Sequence, residues 1–273
     1  MKWFSFLDQD LAIDIGNNTI IAKDGNIVLD EPSVIAVDTE TQQMVATGSK
    51  AVDLCKVNKK LKILTSYCDG LIPDWTAAEY MLKDFIKTAT SRFKIIKKAV
   101  VSFDFDLSGD FPSDKYRENL IRTIKRCGVH SVYLIPKTMA AALGYGLDVK
   151  HSTPNVIALI SDDVIELSVI GLGGIVCSQK SKWNNKEDDK ISYLMDKLCE
   201  DVNETSIPWE WKDIPGKILF TGSAQNIINC VDNVHSTLMG FVDKIISNNP
   251  RYDVVNGCLI ALKYIKDYPF LLH

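Results

Sequence analysis

Several patterns that mark common protein classes are missing from this sequence. It has no apolar run of the roughly 20 residues needed to span a bilayer. Its seven cysteines include no Cys-x-x-Cys pair, and its four histidines are too far apart for a zinc-ligand pattern. A net charge of −4 argues against a nucleic-acid-binding surface. Since no secretory signal is evident either, we expect a protein of the reducing cytoplasm.

The composition that is present is typical of a globular protein. The chain has 273 residues, of which 46% are hydrophobic and 24% are charged, enough for one large domain or two small ones. Short β-branched runs alternate with helical patterns. After a candidate N-cap at Asp74, apolar residues recur at the spacing of one helix face: Ala78, Met81, Leu82, Phe85 and Ile86. The pattern predicts an α/β fold.

A strand, a polar turn and a second strand lie near the start of the chain. Gly16 would let the backbone approach a phosphate, and successive N–H groups of Asn17 and its neighbours could point at it. Asn18 and Thr19 add polar side chains, and Asp14 could hold a hydrated Mg²⁺. An ordinary β-hairpin with an Asn-Asn turn explains the same residues.

The same strand–turn–strand pattern recurs near Leu159. Each copy is followed by further strands and then by helices. This weak internal repeat predicts two related α/β halves. A cleft between such halves is a favoured position for a ligand.

The order of the motifs resembles the MreB family of bacterial actin homologues, within the superfamily of actin, sugar kinases and heat-shock chaperones. The resemblance covers nearly the whole chain. It implies an actin-like ATPase (ribonuclease H-like) fold, with the segment at residues 10–16 as the first phosphate loop. The other matching segments are residues 27–34, 69–74, 132–135, 139–144, 170–176 and 221–224.

The resemblance also implies a division into subdomains. Residues 1–150 would form the first half, with subdomain IB inserted into subdomain IA at about residues 28–70. Residues 151–273 would form the second half. Only residues 203–215 lie where the family inserts subdomain IIB, which is too short for a packed subdomain. We therefore expect the second half to consist of subdomain IIA, with IIB absent.

The second phosphate loop departs from the family pattern. The family has Asp-Ile-Gly-Gly-Gly-Thr-Thr-Glu where residues 159–166 read Leu-Ile-Ser-Asp-Asp-Val-Ile-Glu. Leu159 replaces the metal-side aspartate, and Asp162 and Asp163 replace two glycines. Their carboxylates would repel a phosphate by about 1–4 kcal/mol per charge pair near 4 Å. Alternatively, they form an exposed turn, which aspartate favours.

The residue that positions water in the family is replaced as well. The family has Glu-Glu-Pro where this chain has Pro136-Lys137-Thr138, and a charged lysine cannot accept a proton from water. One hypothesis is that Lys137 pairs with Asp14, Asp162 or Asp163 and occupies part of the emptied site. The alternative is a solvated lysine at a helix start.

The adenosine side is reduced too. A family Gly-Gly-Asp is Asn184-Asn185-Lys186 here, and the adenosine motif keeps one glycine. We therefore predict a degenerate nucleotide pocket without catalytic residues, in which ATP and Mg²⁺ bind at low affinity at most and Asp14 is the one metal candidate. Its expected residues are Asp14, Gly16, Asn17, Asn18, Thr19, Gly222, Ser223 and Ala224, with Lys137, Asp162 and Asp163 also lining it.

These departures favour a non-enzymatic, actin-like structural or adaptor protein in bacterial cell shape, which associates with itself or with another actin-like protein. One alternative is a filament-forming homologue with weak ATP binding or ATPase activity. Another is a membrane-associated scaffold that does not polymerise. Trp3, Phe4, Phe6 and Leu7 could contact the inner face of the membrane, or could pack on the domain instead.

Overall fold

The computed structural model describes residues 8–91, 95–104, 114–151, 154–182, 190–204, 217–222, 227 and 243–267. The predicted membrane-contact residues Trp3, Phe4, Phe6 and Leu7 lie outside them. No helix in these ranges is both long enough and apolar enough to cross a membrane.

Strands and helices alternate along the chain, as the sequence predicts. The strands are β1 (Asp8–Ile15), β2 (Asn18–Lys23), β3 (Asn26–Pro32), β4 (Val34–Asp38), β5 (Met44–Thr47), β6 (Leu61–Thr65), β7 (Ile95–Phe103), β8 (Val129–Pro136), β9 (Asn155–Ile160), β10 (Val164–Gly171), β11 (Gly174–Lys182), β12 (Lys217–Gly222) and β13 (Asp243–Ile246). The helices are α1 (Gly48–Val57), α2 (Trp75–Ala89), α3 (Asp114–Arg126), α4 (Lys137–Tyr145), α5 (Lys190–Glu204) and α6 (Asp253–Lys263), with short 3₁₀ helices at Pro250–Tyr252 and Ile265–Asp267.

The chain divides into two compact units. Unit 1 comprises residues 1–103, 114–134 and 272–273, and unit 2 comprises residues 104–113 and 135–271. Residues 135–150 therefore pack in unit 2, whereas the sequence-based division placed them in the first half. The reason is the close packing of α4 against α6.

Small residues make the α4–α6 packing possible. A Cβ atom at Gly144 would lie 1.9 Å from the carbonyl oxygen of Asp253, and one at Gly257 would lie 1.7 Å from that of Ala140. Only glycine fits at such distances, because real Cβ contacts are much longer. The small residues of α4 and α6 thus allow the two helix backbones to approach closely.

The two large sheets have the same strand order. In the first sheet the order is β3-β2-β1-β7-β8, and in the second it is β11-β10-β9-β12-β13. In both, the first three strands in sequence form an antiparallel meander, and the next strand pairs in parallel with the first one. The internal repeat predicted from the sequence is confirmed by this topology.

The helix α2 forms for the reasons visible in the sequence. The Asp74 carboxylate accepts hydrogen bonds from the backbone N–H groups of Thr76 and Ala77, at 2.8 and 3.1 Å, which satisfies two of the free N–H groups at the helix start. The predicted apolar stripe faces the core: Ala78, Met81, Leu82, Phe85 and Ile86 are all buried.

A small third sheet completes unit 1. Its order is β5-β4-β6, with α1 packed against it. The sequence pattern gives little sign of β6, because three of its five residues are exposed and they do not alternate regularly with the half-buried ones. Pairing with β4 supplies the order that the pattern lacks.

Candidate functional site

The turn between β1 and β2 in unit 1 is a tight hairpin held by side-chain and backbone hydrogen bonds. The Thr19 and Ser33 hydroxyl groups lie 2.8 Å apart and are fully buried. The Asn18 amide donates to Asp30 at 2.8 Å. At the turn itself, the Gly16 N–H donates to the Asn18 carbonyl at 3.1 Å. These bonds fix the turn through its own side chains and backbone.

Asp14 is half-buried at the end of β1. Its carboxylate accepts a hydrogen bond of 2.6 Å from the Ser102 hydroxyl on the adjacent strand β7. Asp14, Gly16, Asn17, Asn18 and Thr19 therefore lie together on one hairpin, as expected of a first phosphate loop.

The equivalent turn in unit 2 carries two carboxylates. The Ser161 N–H donates to the Val164 carbonyl at 2.8 Å, so β9 and β10 are joined by a two-residue turn of Asp162 and Asp163. Neither aspartate is among the described residues with positive φ, so this turn makes no use of the freedom that glycine gives. Asp162 is exposed and Asp163 is half-buried, which fits the exposed-turn interpretation for Asp162.

Lys137 is buried in unit 2, so the expectation of a solvated lysine at a helix start is wrong. Only 6% of its side chain is exposed. Its ammonium nitrogen lies 2.7 Å from one carboxylate oxygen of Asp104, and the ammonium of Lys180 lies 2.8 Å from the other. One carboxylate therefore bridges two buried ammonium groups. Pairing of Lys137 with Asp14, Asp162 or Asp163 stays a prediction.

Strand register places a further acid beside this triad. Glu166 on β10 is opposite Lys180 on β11 and opposite Leu159 on β9, so these side chains lie on one face of the sheet. The Thr138 and Ser168 hydroxyls donate to Glu166 Oε1 at 3.2 and 3.3 Å. Glu166 Oε2 is buried without a hydrogen-bond partner among the described residues. We call Asp104, Lys137, Glu166 and Lys180 the charge cluster.

The pKa values of the two acids in the charge cluster are shifted in opposite directions. Burial alone would raise the pKa of Asp104, but the adjacent Lys137 and Lys180 ammonium groups outweigh burial and lower its pKa to about 2. Burial raises the pKa of Glu166 to about 7, with a further rise from Asp104 and partial compensation by Lys180. Asp104 is therefore ionised at neutral pH, while Glu166 is near its midpoint.

Gly222 ends β12 at the base of the acidic turn. It has φ +112°, and a Cβ atom there would lie 2.2 Å from the Ile160 carbonyl oxygen. The glycine is thus required by the approach of β12 to β9. The preceding Thr221 hydroxyl lies 2.5 Å from an Asp253 carboxylate oxygen. The predicted residues Ser223 and Ala224 lie outside the described residues.

The β9–β10 turn of unit 2 carries acidic and apolar side chains where the family resemblance expects a phosphate loop. The position of the family's metal-side aspartate is Leu159, a buried apolar residue. The turn beside it presents carboxylates, and a phosphate needs converging N–H groups and positive potential. Lys137 and Lys180 both pair with the single carboxylate of Asp104.

Sequence reasoning missed Asp104, Glu166 and Lys180. The separations along the chain explain this, because Asp104 and Lys180 are 76 residues apart. A signal was present for Glu166 alone, since it is the one charged residue of the otherwise largely apolar strand β10. A charge in a buried strand needs a partner.

Comparison with known proteins places the chain in a family. The family model described as MreB/Mbl protein matches residues 8–206. The cell shape-determining protein MreB of Escherichia coli (strain K12) is 29% identical over 202 residues, covering 71% of this chain and 57% of the relative. The chain therefore spans little more than half the length of this relative.

Solved structures show the same fold over most of the chain. MreB5 of Spiroplasma citri, in a crystal structure bound to ADP, has a TM-score of 0.78 at 21% identity, covering 95% of this chain and 98% of MreB5. A MamK double helical filament has a TM-score of 0.70 at 14% identity, covering 94% of this chain and 99% of MamK. The fold is actin-like.

Proposed function

The chain belongs to the MreB/Mbl family, and from this premise we propose that it is a non-enzymatic, actin-like structural or adaptor protein of bacterial cell shape. It acts without hydrolysing a nucleotide. The observation that carries this proposal is the buried Lys137–Asp104 ion pair, which stands at the position where the family resemblance expects the residue that positions water.

The chemistry of Lys137 supports the absence of hydrolysis. A general base must have a lone pair to accept a proton. The Lys137 side-chain nitrogen lies 2.7 Å from a carboxylate oxygen of Asp104, in a site shielded from solvent. Releasing it would leave Asp104 with one counter-ion instead of two, and breaking buried pairs of this kind costs about 3–5 kcal/mol.

A phosphate-release assay tests this proposal. The purified protein is incubated with Mg-ATP, next to Asp14→Ala, which removes the one metal candidate, and Asp162→Asn, a control on the exposed turn. We expect no phosphate release above buffer from any of the three. Release by the unsubstituted protein that Asp14→Ala abolishes and Asp162→Asn retains would overturn the proposal.

A second candidate function is favoured by one observation. MreB5 of Spiroplasma citri was solved with ADP and also with AMPPNP, and the first hairpin here keeps its polar residues. Under this alternative the chain binds ATP weakly through Asp14 and the β1–β2 turn. Calorimetry with millimolar Mg-ATP separates the two: heat of binding that is lost in Asp14→Ala supports the alternative, and no heat supports our proposal.

Self-association is part of the proposal, since MamK forms a double helical filament. Electron microscopy and sedimentation of the purified protein, with and without nucleotide, distinguish a filament subunit from an adaptor. Filaments that form equally well without nucleotide are the expected result. Filaments that require ATP would contradict nucleotide independence.

Membrane contact through Trp3, Phe4, Phe6 and Leu7 is tested by co-sedimentation with anionic vesicles. Replacing all four by serine should abolish binding if these aromatic and apolar side chains enter the interface. Binding that is unchanged by the four substitutions would assign membrane contact to another surface.

A further inference from the structure

A groove runs along α2 in unit 1, on the side that faces α3. Its first part has a volume of about 540 Å³, and an adjoining part of about 510 Å³ shares Lys83 with it. The first part is walled by Trp75 and Tyr80 of α2 and by Asn119, Arg122 and Arg126 of α3. The groove belongs to neither hairpin described above.

The charge of the groove is strongly positive. Lys83, Lys87, Arg122 and Arg126 line it, against a single carboxylate, Glu79. The whole chain, by contrast, has a net charge of −4. Positive charge is therefore concentrated here, on a protein that is acidic overall.

Three of these cations, Lys83, Lys87 and Arg122, have no ionic partner among the described residues. Arg126 lies 3.3 Å from Glu79, but neither Lys83 nor Arg122 forms an ion pair with any residue in the described ranges. Both are exposed on the groove. Carboxylates supplied by a ligand would complement them.

Aromatic side chains add an apolar contribution. Tyr80 is 39% exposed, and its hydroxyl donates to the Met44 carbonyl at 3.2 Å, which fixes the ring at the groove wall. Trp75 packs edge-on against Tyr116 with ring centroids 5.0 Å apart. Rigid aromatic walls next to unpaired cations are typical of peptide-binding surfaces.

We propose that the α2–α3 groove binds an acidic peptide segment of a partner protein, with carboxylates on Lys83 and Arg122 and an apolar side chain against Trp75 and Tyr80. The side chains of a peptide can enter a concave groove, whereas a flat bilayer surface would contact only the rim of the groove. The helix α2 has 15 residues, about 22 Å at 1.5 Å per residue, which matches about seven residues of extended chain.

The test uses a fluorescein-labelled synthetic peptide about ten residues long, in which pairs of glutamates alternate with single leucines. Fluorescence anisotropy measures its affinity for the full chain. A matched peptide with lysine in place of glutamate is the charge control. We expect binding of the acidic peptide that weakens with added salt, and no binding of the lysine peptide.

Two double variants locate the site. Lys83→Glu with Arg122→Glu should weaken binding at least about tenfold, since two attractive pairs become repulsive. Lys59→Glu with Lys115→Glu makes the same change in net charge at exposed positions that do not line the groove, and should leave affinity within about twofold. Circular dichroism confirms that both variants are folded.

Tyr80→Ser tests the apolar part and should weaken binding without changing its salt dependence. Equal loss in the two double variants, or equal binding of the lysine peptide, would overturn the proposal. So would anionic phosphatidylglycerol vesicles whose binding depends on Lys83 and Arg122 while the acidic peptide does not bind, because the surface would then be a membrane site.

Discussion

The turn between β1 and β2 and the turn between β9 and β10 hold equivalent places in two sheets of the same strand order. The first is fixed by hydrogen bonds of its side chains, among them the buried Thr19–Ser33 hydroxyl pair and the Asn18–Asp30 bond. The second carries Asp162 and Asp163 at its tip, and a buried charge cluster lies on the sheet behind it. One topology therefore supports two turns of different chemistry.

The second sheet therefore forms without a glycine-containing turn between β9 and β10. Strand pairing in the second sheet continues to the last residues before the turn, with Ile160 opposite Ile165. Hydrophobic burial on both faces of β10, which is buried along its whole length, holds the hairpin whatever its tip contains. The β9–β10 turn therefore does not require glycine. Gly222 is required, because β12 approaches β9 too closely for a Cβ atom.

The largest expected effect comes from Asp104→Asn, which leaves two buried ammonium groups without their shared carboxylate. We expect a loss of about 3–5 kcal/mol in the free energy of unfolding, measured by urea denaturation. Asp162→Asn, an acid-to-amide change on the exposed turn, should change it by less than about 0.5 kcal/mol.

Replacing Asp104, Lys137 and Lys180 together separates the contribution of their charges to stability from the contribution of their packing. Asp104→Leu combined with Lys137→Met and Lys180→Met should recover most of the stability lost in Asp104→Asn, since apolar residues of similar volume often substitute for buried ion pairs without loss. A triple variant as unstable as Asp104→Asn would mean that shape, rather than charge, dominates here.

The next effect is a pH dependence of stability that follows from the raised pKa of Glu166, behind the second turn. The pKa of Glu166 is raised from 4.5 to about 7, so between these pH values the folded state holds a proton that the unfolded state has lost. Its contribution to stability is therefore present below pH 4.5 and decreases as pH rises towards 7, by about 3 kcal/mol at most.

Glu166→Gln should remove this slope between pH 5 and 7, because the amide does not titrate. Asp104 does not interfere in this range, since its pKa is lowered to about 2 and its stabilising effect is lost only as pH falls below 4. Identical slopes in Glu166→Gln and the unsubstituted protein would show that Glu166 is already ionised at pH 5.

A smaller effect is expected at the first turn. Thr19→Val leaves the fully buried Ser33 hydroxyl without its partner at 2.8 Å, which should cost about 1–3 kcal/mol. Adding Ser33→Ala should recover part of this loss, because the unpaired hydroxyl is then gone. Additive losses in thermal or urea unfolding would indicate that the two hydroxyls act independently.

The smallest effect should follow from changing the acidic tip. Asp162→Gly with Asp163→Gly restores two of the glycines expected from the family pattern. Removing the two carboxylates reduces the repulsion of a phosphate. Two other replacements of the family pattern, Leu159 and the Asp104-paired Lys137, are still present in this variant. We expect a stability change within about 1 kcal/mol and no phosphate release from ATP. Appearance of ATPase activity in this variant would mean that the acidic tip alone suppresses catalysis.

Local signals in the sequence predicted most of the fold. Periodicity and the Asp74 cap predicted α2, and the repeated strand–turn–strand pattern predicted the two matching sheets. β6 was missed because three of its five residues are exposed, without regular alternation. At the candidate site, both hairpin turns and the replacement of the expected acid by Lys137 were visible, but the environment of Lys137 was not.

Most strands, helices and turns, with β6 as an exception, could be predicted from the sequence, since hydrophobic periodicity and turn chemistry act between near neighbours. The sequence also determined the family resemblance, which rests on short segments in a constant order. The burial of Lys137 and its pairing with Asp104, which also pairs with Lys180, depend on the tertiary structure. Asp104 follows β7, Lys137 begins α4 and Lys180 lies in β11, so the three residues are far apart in the sequence. Contacts between distant segments depend on how the sheets and helices pack, and a buried charge takes whichever partner that packing supplies.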